Sequence, residues 1–147
     1  MRLTLHYGSG TNSGGDIYLG GNCQPDFDDV RFTKADGISL LDYWVQEVND
    51  GVNATVWVEF DTISTSGTSF YIYCGNLGAS SASNGSNTFL FFDDFADNNY
   101  TSNPTWTVGS GAWSMANGYL YHSGTFEGPD IYSTGISIPA GSPIMLE

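Results

Sequence analysis

The stretch that decides the fold is YWVQEVNDGVNATVWVEF, residues 43–60. In its second half Ala54, Val56, Val58 and Phe60 alternate with Thr55, Trp57 and Glu59. A period of two places the first set on one face of a strand and the second set on the other. Upstream, Tyr43 to Val48 is rich in aromatic and β-branched side chains, which suit a pleated surface. Between the halves stands Asn49-Asp50-Gly51, and Asp-Gly readily takes the positive φ that a tight hairpin needs. The stretch therefore reads as two antiparallel strands and their turn.

The same texture extends in both directions. Leu3, Leu5 and Tyr7 alternate with Arg2, Thr4 and His6, which is strand periodicity. A Gly/Ser/Asn loop from Gly8 to Gly15 precedes a short strand at Ile17-Tyr18-Leu19. The acidic loop Asp26-Phe27-Asp28-Asp29 leads into Val30-Arg31-Phe32, the turn Ala35-Asp36-Gly37, and a strand from Ile38 to Leu41. Downstream, Phe70, Ile72 and Cys74 alternate with Tyr71 and Tyr73. The polar connector from Ala79 to Asn87 has room for one helical turn, and Phe89 to Phe92 reads as a fully apolar strand. Beyond Asp93-Asp94-Phe95 come spaced tryptophans, Trp106 and Trp113, then the turn Asn117-Gly118 and Tyr119 to Tyr121. Ile131, Ile136, Ile138 and Ile144 mark further short strands.

Composition agrees with this reading. The 19 glycines and the Ser, Thr and Asn clusters are turn chemistry, and aromatics make up 15% of a chain that is 40% hydrophobic. The fold expected is all-β: an antiparallel β-sandwich of jelly-roll type over residues 1–92, then the leading strands of a second sandwich over residues 93–147. The second block is about a third of a full sandwich domain, so it reads as cut off. Met1-Arg2-Leu3 stands where a strand is already under way, so the chain reads as an excised piece of a longer protein.

Three basic residues, Arg2, Arg31 and Lys34, face 16 acids, for a net charge of −13. That surface repels nucleic-acid phosphates and anionic lipid, since both are held by positive patches. No signal peptide, transit peptide or membrane span is read in the sequence, so no direct membrane insertion is expected. Cys23 and Cys74 are the two cysteines, without CxxC spacing or a Cys/His cluster, which gives zinc no support. Two readings stay open for them: one disulfide if the chain is secreted, or two free thiols with Cys74 buried in a strand.

Several ordered motifs resemble one family. DFDDVRFTKADGISLLDYWVQEV (residues 26–48), ATVWVEF (54–60) and FYIYCGNLGASSASNGSNTFLFFDDF (70–95) together resemble the domain-of-unknown-function family 2341. The resemblance spans roughly residues 2–95. Cys74 departs from the family's usual tyrosine and Leu77 from its usual proline. The later stretch WTVGSGAWSMANGYLYHSG (106–124) resembles the opening strands of a concanavalin A-like jelly roll, of the LamG or glucanase type. The resemblance implies an extracellular, multi-domain, adhesion-like or cell-envelope setting, with neighbouring domains of the parent protein as partners. It supplies no catalytic activity.

Candidate chemistry is sparse. Jelly-roll glucanases carry a Glu-x-Asp-x-x-Glu strand, whereas the nearest approach here, Glu127-Gly128-Pro129-Asp130, has a proline in its middle. His6 and His122 are the only imidazoles, no Gly-x-Ser-x-Gly elbow exists, and both histidines read as solvated. Two aspartate clusters, Asp26, Asp28 and Asp29, and Asp93, Asp94 and Asp97, offer the oxygen ligands that hard cations prefer, so a structural calcium ion is a candidate cofactor. The second cluster lies where concanavalin A-like domains often hold calcium. The plainer reading is that these acids cap turns in solvated loops.

Trp57, Tyr71 and Tyr73 fall opposite the core-facing residues of their strands, so one aromatic sheet face is a candidate glycan platform, with Trp113 a further candidate. The competing reading covers that face with a neighbouring domain. The sequons at Asn53, Asn84 and Asn99 follow, of which Asn84 and Asn99 lie in loops and are candidates for glycosylation. Taken together, these features predict a non-catalytic extracellular binding, adhesion or cell-envelope module whose partner is a glycan or a cell-surface protein. The alternatives are a carbohydrate-binding accessory of a secreted hydrolase and a subunit of an extracellular filament assembled by strand exchange.

Overall fold

The computed structural model describes residues 1–124 and 128–133. The described chain is nearly all-β, with several antiparallel sheets and one helical turn. It divides into two compact units, Met1–Phe89 and Leu90–Glu147.

In the first unit, the hairpin forms as its sequence predicts: β5 (Tyr43–Asn49) pairs antiparallel with β6 (Asn53–Val58), and Gly51 takes φ +68° at the turn. β1 (Arg2–His6) lies on the other side of β6. β2 (Asp16–Tyr18) extends the sheet in the order β2-β1-β6-β5, and it pairs with β1 in parallel. The second sheet is β4-β3-β7, from β3 (Arg31–Lys34), β4 (Leu40–Leu41) and β7 (Phe70–Tyr73). The strand expected from Ile38 is thus shorter, because the Asp36 carboxylate caps the amides of Ile38 and Ser39 and holds both in the turn.

The alternation decides what is buried. Leu3 and Leu5 of β1, with Ala54, Val56 and Val58 of β6, face Phe32 of β3 and Leu41 of β4. Phe70, Ile72 and Cys74 pack at the margin of the same core. The two sheets meet where the Phe32 ring lies 5.1 Å from that of Tyr43. The loop between β2 and β3 plugs the sandwich with Cys23, Phe27 and Val30, and the Tyr43 hydroxyl donates to the Val30 carbonyl at 2.7 Å.

One predicted strand is absent. Residues 89–92 form no ladder; Phe89 instead sets its ring edge-on against Trp44 and Trp57. The preceding residues make the helical turn α1 (Gly85–Thr88), capped by the Asn84 side chain accepting from the Asn87 amide. An apolar run this close to a helix end is used for ring packing, and no sheet edge takes it up.

The second unit holds two hairpin-like pairs: β8 (Trp106–Ser110) with β11 (Asp130–Ser133), and β9 (Ala112–Ala116) with β10 (Tyr119–Ser123). Asn117 and Gly118 both take positive φ at the β9–β10 turn. Ile136, Ile138 and Ile144, and the acid Glu127, lie outside the described residues.

Candidate binding face and thiol cleft

Cross-strand register builds the most distinctive surface. Thr33 of β3 stands between Leu40 of β4 and Tyr71 of β7, and Arg31 pairs with Tyr73. Directly paired residues project to the same side, so these five side chains share the outer face of the three-stranded sheet. Tyr71 is 51% exposed and Tyr73 49%, with ring centroids 6.5 Å apart. Leu40 is also exposed, and the Tyr73 hydroxyl reaches the Gly37 carbonyl at 3.3 Å. The Thr33 hydroxyl, beneath this row, is buried and finds no hydrogen-bond partner among the described residues.

Trp57 does not share that face. It belongs to β6 in the other sheet, where its register partner is Trp44 and its indole N–H donates to Gln46 at 2.7 Å. Gln46 reaches it because the β5–β6 ladder shifts register between Val45 and Glu47. The expected single aromatic face is therefore two faces on two sheets. Period-two reading assigns a side chain to a face of its own strand, but not a strand to a sheet.

Beside Tyr73 lies a cleft of about 180 Å³ lined by Asp29, Arg31, Tyr73, Cys74, Asn76 and Ala79. Asp29 is 3% exposed. Its two carboxylate oxygens accept from the backbone amides of Gln24, at 2.9 Å, and Gly75, at 2.5 Å. Arg31 spreads its guanidinium over the carbonyls of Asp28, Val30 and Ser80. Cys23 is buried in the core and Cys74 half-buried against it, both as free thiols. Burial, then the Cys74 thiol and the Asp29 carboxylate, push the Cys23 thiol up to about 11. Burial and Asp29 raise Cys74 as well.

Four of the six clustered aspartates act as turn caps. Asp26 accepts from the Asp28 amide, Asp94 from Ala96 and Asp97 from Asn99. Asp93 accepts from the Phe95 amide and from the Trp106 indole at 2.7 Å. Among the described residues, no group of three His, Cys, Asp or Glu side chains converges in a way that could hold a metal ion.

The histidines differ from the solvated side chains expected. His6 Nε2 meets Asp16 Oδ1 at 2.8 Å, and its ring stacks on Tyr18 at 4.3 Å, a consequence of the parallel β1–β2 pairing. His122 is half-buried opposite Trp113, with ring centroids 5.1 Å apart. Trp113 is itself half-buried and donates its indole N–H to the Ser110 carbonyl. On that hairpin the outward aromatics are Tyr119 and Tyr121, a pair the sequence reading passed over although both alternate with Leu120. Asn84 is exposed at its helix cap, whereas Asn99 is half-buried and ties its amide to Ser102.

Comparison with protein families matches residues 26–109, more than half of the chain, to a domain of unknown function, DUF2341. The chain belongs to the DUF2341 family. The DUF2341 match takes in the tyrosine face, the residues lining the cleft, the β5–β6 hairpin and α1, and it runs on through most of β8, while Cys23 lies before its start. It thus begins later and ends later than the span of roughly residues 2–95 read from motifs. Comparison with curated proteins and with solved structures gives no match.

Proposed function

We propose that the chain is a non-catalytic binding module of a larger extracellular or cell-envelope protein, working in adhesion, and that its contact surface is the outer face of β4-β3-β7. The observation that carries this reading is the pair of half-exposed tyrosines, Tyr71 and Tyr73, side by side on that face. Aromatic rings left in water with exposed Leu40 beside them make a surface that gains by being covered. The net charge of −13 argues for a partner that is neutral or cationic.

A glycan is the partner class we favour. Sugar rings stack their C–H faces on aromatic planes and hydrogen-bond at their rims, and the adjoining cleft supplies Arg31 and Asn76 for those rims. Residues from 90 onward we read as the start of a concanavalin A-like continuation. The support is the β9–β10 hairpin with its Asn-Gly turn, together with the WTVGSGAWSMANGYLYHSG motif.

Retention of the chain by a panel of insoluble polysaccharides tests the reading. Replacing Tyr71 and Tyr73 together by alanine should abolish retention on whichever polysaccharide holds the wild type, while the unfolding midpoint stays within a degree or so. Retention unchanged by the double substitution, or release of reducing sugar from the polysaccharide, would refute it.

A further inference from the structure

Two chain segments distant in sequence are clamped together around the cysteines. Asp29 binds the amides of Gln24 and Gly75, the residues that directly follow Cys23 and Cys74. Gln24 adds side-chain hydrogen bonds to the carbonyls of Asn76 and Ala79, both at 2.9 Å. A Cβ on Gly75, which has φ +103°, would lie 3.3 Å from the Asn22 carbonyl oxygen, so glycine permits the close approach of the two segments. The two cysteines are thereby gathered at one place, Cys23 in the core and Cys74 packed against it and lining the cleft.

We propose that Cys23 and Cys74 form a paired thiol site that is oxidised to an intramolecular disulfide by exchange with a small-molecule disulfide, Cys74 reacting first. Cys74 leads because it lines the open cleft, whereas Cys23 is 3% exposed. In the first step the Cys74 thiol gives its proton to solvent, its sulfur attacks one sulfur of the disulfide, and one thiolate leaves. In the second step Cys23 loses its proton, its sulfur attacks Cys74 Sγ in the mixed disulfide, and the second thiolate leaves. The two protein thiols are oxidised by two electrons and the reagent is reduced to two thiols. The proposal does not rest on the glycan-binding reading, although Cys74 lines the cleft offered there to sugar rims.

The groups facing the thiols are Asp29, Asp26 and, across the cleft, Arg31. The carboxylates oppose thiolate formation, so exchange is slow at neutral pH and accelerates as pH rises towards the thiol range.

Intact-mass spectrometry during incubation with oxidised glutathione, at pH 7 and pH 9, tests the proposal. The wild-type chain should end two hydrogens lighter with no free thiol, passing through a single glutathione adduct at Cys74, and faster at pH 9. Cys23→Ser should stop at that adduct, and Cys74→Ser should remain unmodified on the same timescale. A wild-type end product carrying two glutathiones, or one whose thiols both persist, would overturn the proposal. So would a first adduct on Cys23. Each of these readouts is made on the wild-type chain and stands whether or not a variant folds.

Discussion

Asp29 shows how much one residue carries in this chain. By sequence it is one of three acids in a polar loop, yet it is buried and spends both oxygens on backbone amides from separate segments. Replacing it by alanine leaves two part-buried amide donors without their acceptor, each costing up to roughly 1–3 kcal/mol. Asp29→Ala should therefore lower stability in chemical denaturation far more than Asp28→Ala, and equal effects would contradict the clamp. Asp36 works at the surface: hydrogen bonds from the Ser39 hydroxyl and then the Ile38 and Ser39 amides hold its carboxyl at about 2. The folded value lies below the unfolded 3.8, so its contribution is full above that pH and fades as pH falls through about 2. The Ile38 and Ser39 amide resonances should titrate with a midpoint near 2; a midpoint near 3.8 would dissolve the cap.

At the scale of elements, much was legible and the failures have causes. Hydrophobic alternation placed β1, β6 and β7, aromatic and β-branched composition placed β5, and Asp50-Gly51 and Asn117-Gly118 marked turns in which Gly51, Asn117 and Gly118 take positive φ. The parallel β1–β2 pairing was hidden, since its register is set across a polar loop without periodicity. Residues 89–92 misled because an apolar run satisfies ring packing as well as it satisfies a strand. The separation of Trp57 from Tyr71 and Tyr73 depends on which strands pair, a long-range choice. The acidic loops were legible as turn caps and as cation ligands alike. Because their carboxylates are used by nearby amides, thermal unfolding in calcium and in chelator should give the same midpoint; a shift of several degrees would reveal a bound ion by linkage.

Over the whole molecule, stability is unevenly distributed. Every fully buried apolar side chain among the described residues belongs to Met1–Phe89, while β8 to β11 bury none completely. Apolar burial is the main source of stability, so the second unit should open at lower free energy. Hydrogen exchange read by mass spectrometry should show β8–β11 amides exchanging well before those of β1 and β6, and uniform protection would contradict this. The family match crosses the boundary between the units and takes in most of β8, but it stops before β9.

Binding, as we propose it, takes place on the outer face of β4-β3-β7. Amide chemical shifts followed by NMR during titration with an oligosaccharide cut from the retained polysaccharide test it most directly. Perturbations should centre on Thr33, Leu40, Tyr71 and Tyr73 and spread into the cleft at Asn76. Perturbations confined to the β9–β10 hairpin, or to Trp44 and Trp57 on the other sheet, would contradict it.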